Sequence, residues 1–208
     1  DPSTFGAYDG TGIIGGGTCM GGFIKELDLY LDCSKMLGFL AIVNSDETNL
    51  DKLAKLQKIE QTDDMAGPNG NGIYIANNTN LKDTSGLAKL NLVAGGLTIE
   101  GNPALTSTGG IGANLNHVGT NDAGESIVIR NNPSLVDVGE WDLFGAPGSL
   151  TVEENMMLKH LSGFSSMKMV EGSVMIRFNE QLEDVSGLSG LNSVGKDPSG
   201  NSLVIVSN

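Results

Sequence analysis

The chain has 208 residues, 39% of them hydrophobic, and a formal net charge of −13. That length fits one or two domains, and so acidic a balance argues against a nucleic-acid partner, whose phosphates call for lysine and arginine. No apolar run approaches the ~20 residues of a membrane-spanning helix, so no span is expected within the chain.

Residues 1–22 read as a glycine-rich lead-in, and 23–208 as one elongated unit that follows it. Gly10, Gly12 and Gly15 spell G-x-G-x-x-G, the dinucleotide fingerprint. No strand is expected before it and no helix after it, so nucleotide binding is set aside in favour of an extended or flexible cap. The chain opens at Asp1 without a methionine or a signal peptide, as a processed or excised form does. Cys19 and Cys33, 14 residues apart, flank Leu27–Leu31, whose alternation reads as a strand. There is no C-x-x-C, and the two histidines are distant, which makes a poor zinc site. A structural disulfide is expected, with free thiols as the alternative. Closing that loop stabilises by about 3 kcal/mol and implies an oxidising compartment.

From Gly72 onward the chain repeats the pattern G-x-Φ-x-Φ-x-x-N-x-x-L, with Φ apolar. The second Φ falls at Ile75, Ile99, Ile129, Val152, Ile176 and Ile205, at separations of 24, 30, 23, 24 and 29 residues. Three residues later come Asn78, Asn102, Asn132, Asn155, Asn179 and Asn208. A self-similar period of this size predicts a solenoid. Each unit opens as a half-buried strand with inward pairs such as Leu97/Ile99 and Leu203/Ile205. It then turns at the asparagine, a residue that tolerates left-handed backbone and whose amide can bond the unit above. A leucine at every third residue follows, which predicts short corners in place of a long helix. Ser45 stands where the first unit would carry its asparagine, and Gln61–Asn71, Gly119–Gly124 and Gly195–Gly200 are turn-rich excursions. Because Ser202–Asn208 is the first third of another unit, the natural chain is expected to continue beyond it.

The run Cys33-Ser34-Lys35-Met36-Leu37-Gly38-Phe39-Leu40-Ala41-Ile42, followed by repeated N-x-x-L and L-x-x-L, resembles the opening of the receptor L-domain family. That family includes ligand-binding lobes of insulin- and epidermal-growth-factor-type receptors and fungal cell-wall proteins of the sporulation-specific type. The resemblance covers about Cys19 to Asn208. It implies a right-handed, β-helix-like solenoid related to leucine-rich repeats, here of about six to seven rungs, with an N-terminal disulfide cap. It also implies an extracellular setting and a binding or structural role without catalysis.

With Leu97 and Ile99 inward, two rows face outward. One is Tyr74, Thr98, Val128, Thr151, Met175 and Val204, an apolar strip of the kind that marks protein contacts. It is too irregular for an ice-binding threonine array. The other contains Glu100, Arg130, Glu153 and Arg177, whose alternating signs predict a cross-strand charge ladder. Asn77-Asn78-Thr79 is the single usable N-x-S/T sequon, because Pro133 disqualifies Asn132, so Asn77 is the glycosylation candidate. His117 and His160 fall on different units, and Trp141 takes a mid-unit core position.

The acidic groups Asp63/Asp64, Glu153/Glu154 and Asp137/Glu140/Asp142 form no catalytic constellation and no D-x-D-x-D-G calcium loop. The expectation is a non-catalytic extracellular scaffold or adhesion protein that needs no cofactor or metal. It would engage protein partners, or its own copies, through the sheet face or the solenoid ends. The alternatives are a receptor's ligand-binding lobe and, behind it, a polysaccharide-active β-helix enzyme.

Overall fold

The computed structural model describes residues 13–61 and 65–208. Gly10 and Gly12 of the glycine fingerprint, and the Asp63/Asp64 pair, lie outside the described residues.

The fold is all-β and solenoid-like, built on a mostly parallel sheet of 12 strands with a second, 3-stranded parallel sheet. An antiparallel hairpin, β1 (Ile13–Gly15) and β2 (Thr18–Phe23), opens the chain, and β2 then pairs in parallel with β3 (Lys35–Val43). Strands thereafter alternate between two faces. The front face carries the second half of β3, then β5 (Asn71–Ala76), β7 (Gly96–Glu100), β9 (Glu125–Arg130), β11 (Ser149–Glu153), β13 (Val174–Arg177) and β15 (Leu203–Val206). The back face carries the first half of β3, then β4 (Lys58–Glu60), β6 (Leu92–Val93) and β8 (His117–Val118), and the 3-stranded sheet β10 (Gly145–Ala146), β12 (Met169–Val170), β14 (Ser193–Val194). β3 serves both faces because Gly38, at φ +100, bends it midway.

The predicted inward column is a single in-register row: Ile42, Ile75, Ile99, Ile129, Val152, Ile176 and Ile205 are successive strand partners. The first six are at most 1% exposed. Leu203 and Ile205 differ, at 54% and 43%, because β15 is the edge strand and packs on one side only. Trp141 is in the core, its Nε1 donating to the Val138 carbonyl at 2.9 Å and its ring 5.6 Å from that of Phe164.

The third-residue leucine rhythm forms short 3-10 turns, Ser85–Leu87, Ser162–Phe164 and Ser186–Leu188 among them. Beside them runs a third, minimal ladder of parallel bridges through Asp83, Ser107, Asp137, His160 and Asp184. Asp83 and Asp184 each accept the backbone N–H two residues on, at 3.0 and 2.7 Å, and so seed the turn. The turn glycines lie directly against the preceding unit: a Cβ on Gly86, Gly163 or Gly187 would come within 1.9 Å of a backbone carbonyl oxygen.

One expectation for the N-terminal part is corrected. Leu27–Tyr30 is a 3-10 turn and not a strand. Only Leu27 reaches the core, while Leu29 and Leu31 are 40% and 50% exposed, so the alternation does not mark one buried face. β2 runs through the end of the glycine-rich segment to Phe23 and carries Cys19 into the sheet. Cys19 and Cys33 form the disulfide, and both are fully buried.

Candidate interaction face

The outward row is in register as expected: Tyr74, Thr98, Val128, Thr151, Met175 and Val204 are successive partners. It is not an exposed apolar strip. Thr98, Val128 and Thr151 are only 4%, 2% and 5% exposed, and Tyr74, Met175 and Val204 are half-buried. Long polar side chains from neighbouring positions cover the row. Glu100 accepts from the Tyr74 phenol and from Arg130 Nε, the latter at 2.6 Å. Thr151 donates to Glu125 at 3.0 Å, and Thr98 to Asn71 at 2.9 Å. Burial, reinforced by the Glu100 carboxylate, pushes the Tyr74 phenol up to about 12.

The charged row breaks into two pairs and is not a continuous ladder. Arg130 binds Glu100, and Arg177 binds Glu153, while no ion pair joins Arg130 to Glu153 among the described residues. The arginines are about half-exposed while Glu100 and Glu153 are mostly buried, and pairs open to solvent on one side contribute about 0–1 kcal/mol each. They fix side-chain direction more than they stabilise the fold.

At the end of each front strand lies the asparagine ladder. The Asn78, Asn102, Asn132, Asn155 and Asn179 side chains are fully buried. Asn132 shows the pattern. Its Oδ1 accepts the Asn102 backbone N–H and Nδ2–H, both at 3.1 Å. Its Nδ2 donates to the carbonyls of Ile99 (3.1 Å) and Arg130 (3.0 Å), and to Asn155 Oδ1 (3.2 Å). Ser45 joins at the first position through its backbone N–H, which donates to Asn78 Oδ1 at 2.9 Å. Asn208 ends the series and is exposed.

The ladder asparagines themselves do not take the left-handed conformation. The residue before each one does: Asn44, Asn77, Gly101, Asn131, Glu154, Phe178 and Ser207 have φ between 52° and 65°. Each left-handed residue swings the chain so that the next side chain points into the coil. Asn77 is therefore exposed, beside the buried Asn78.

His117 and His160 are exposed on different ladders and do not meet. Asp137, Glu140 and Asp142 line an open cleft near Trp141. No group of three or more His, Cys, Asp or Glu able to hold a metal occurs among the described residues.

A second cleft was not anticipated from the sequence. It occupies about 400 Å³ on the front face, with Tyr74, Thr98 and Val128 beneath it and Asn69, Asn71 and Asn121–Glu125 around it. The excursions before β5 and β9 are long, whereas Ala94–Gly95 before β7 is short, so two raised turns stand on either side of a low one. Strands ~4.8 Å apart set those turns roughly 10 Å from each other. They join where the Asp122 N–H donates to the Asn69 carbonyl at 2.8 Å. The paired asparagines and glycines of the excursions were the only signal available.

No family model, curated protein or solved structure matches the chain.

Proposed function

We propose that the chain is a non-catalytic extracellular scaffold, a receptor L-domain-like, right-handed solenoid of six to seven rungs. It presents its front face for protein–protein assembly at a cell surface, in a cell wall or in an extracellular filament. The observation that carries this reading is the unbroken register of outward side chains from Tyr74 to Val204, because backbone pairing fixes every position on that surface in advance. The buried Cys19–Cys33 disulfide supports an oxidising setting. Among the described residues no helix is long and apolar enough to cross a membrane. The exposed Asn77 fits a glycan acceptor.

Sedimentation velocity over three decades of concentration tests the assembly. Self-association is expected, reversed by Arg177→Glu combined with Met175→Asp. A monomer at every concentration refutes it. Secretion from a eukaryotic host tests the glycan: a mass increment should appear and vanish in Thr79→Ala, which leaves the left-handed Asn77 in place.

A further inference from the structure

We propose that the front-face cleft between the two raised turns is a binding site for a neutral oligosaccharide. Its volume of about 400 Å³ lies within the ~300–1,000 Å³ range of small-ligand sites. The walls are fixed before any ligand arrives. Asn121 Oδ1 accepts the N–H groups of Ala123 and Glu125 at 3.0 and 2.9 Å, closing one turn. Asn71 Nδ2 donates to the Pro68 carbonyl at 2.8 Å, closing the other, while Asn71 Oδ1 accepts from Thr98 on the floor. A preorganised wall of this kind lowers the ordering cost of binding.

Against that fixed frame, several polar ends are left open. The Asn69 amide and the Asp122 carboxylate make no hydrogen bond among the described residues. Among the described residues Arg130 is engaged through Nε alone, with no hydrogen bond from its terminal amino groups. The Tyr74 phenol is already given to Glu100, so what Tyr74 offers the cleft is its ring.

Charge and lining narrow the ligand class. Arg130 is already balanced by Glu100, so Asp122 and Glu125 leave two net negative charges at the cleft, which disfavours an anion. A mostly polar lining does not suit an apolar ligand, and no metal-binding cluster is present among the described residues. An uncharged polyol meets the remaining description. Its hydroxyls donate to Asp122 and the Asn69 carbonyl oxygen and accept from Arg130 and the Asn69 amide, while a C–H face of the sugar covers the Tyr74 ring.

Calorimetric titration of the full chain with cellohexaose, laminarihexaose, mannohexaose and chitohexaose tests this, with the anionic hexagalacturonate alongside. At least one neutral sugar should bind saturably. Asp122→Ala and Asn69→Gly, the latter chosen because residue 69 is left-handed at φ 54°, should each weaken it by about tenfold with the melting temperature unchanged, while Glu154→Asn, outside the cleft, should leave it unaltered. Binding should also shift the titration of Tyr74. Absence of binding by all the neutral sugars overturns the proposal. So does indifference to both substitutions, or tighter binding of hexagalacturonate.

Discussion

Replacing one ladder asparagine isolates what holds the coils together. In Asn132→Ala three bonds to backbone groups are lost at once: the Asn102 N–H loses its acceptor, and the Ile99 and Arg130 carbonyls each lose a donor, the Arg130 carbonyl keeping the Gly101 N–H. The site is 0% exposed, so water does not replace the missing amide. At about 1–1.5 kcal/mol for each such bond, the expected loss is about 3–5 kcal/mol, a large part of the 5–15 kcal/mol typical of a whole domain. Asn208→Ala is the matched control. Asn208 occupies the same place in the motif, accepts from Asn179 and donates to the Ile176 carbonyl, yet it is exposed. Solvent can re-satisfy those groups, and the cost should stay below about 1.5 kcal/mol. Urea unfolding followed by circular dichroism gives both values, with the slope checked for constancy. Equal costs at the two positions, or a loss below about 1 kcal/mol at Asn132, would refute the claim that buried amide bonding locks each unit to the next.

Gly163→Ala should be among the most damaging single-methyl additions, because its Cβ would lie 1.6 Å from the Gly139 carbonyl oxygen. A loss of about 3 kcal/mol or more is expected by chemical denaturation, against a smaller one for Gly109→Ala, whose nearest neighbour is the Ser107 hydroxyl at 3.0 Å. Glu154→Asn should stabilise by about 0.5–1 kcal/mol, measured the same way, since Glu154 sits at φ 58° where Asn44, Asn77, Gly101 and Asn131 supply residues that adopt a positive φ readily. Tyr74 should give a tyrosinate ultraviolet titration near 12 that Tyr74→Phe removes. Its folded-state pKa is raised, so the unfolded chain ionises first. The Tyr74 contribution is intact below pH 10 and lost as pH climbs through about 12, and Tyr74→Phe should flatten that part of the stability curve.

The register of the front face was legible because strand pairing has a fixed period of two, and the Φ and Asn positions mark it whatever the length of the connection between them. Ile75, Ile99 and Ile129 could therefore be aligned across gaps of 24 and 30 residues. The left-handed position was not legible, since Glu154 and Phe178 occupy it as well as Asn and Gly, and neither advertises a positive φ. The Ser-Gly-Leu and Ser-Gly-Phe triplets at Ser85, Ser162 and Ser186 did carry a usable signal. A glycine recurring at one place in a repeat marks backbone in contact with backbone. The apolar strip was misjudged for a physical reason. A sequence shows which side of a strand a residue takes, but not that Glu100, Arg130 and Glu125 fold across Thr98, Val128 and Thr151 and shield them.

The same division explains why a cleft appears where it does. The asparagine ladder and the turn glycines leave no slack in the interior, so differences in repeat length are expelled to the connections outside it. One long connection alone makes a bump. Two long ones separated by the short Ala94–Gly95 make a hollow, and its floor is whatever the middle strand presents, here Thr98. Gly96 belongs to that geometry, because a Cβ there would meet the Asn121 backbone nitrogen at 2.7 Å and force the second turn away. The invariant part of each unit thus builds the support, and the lengths of the variable parts decide where that support becomes concave.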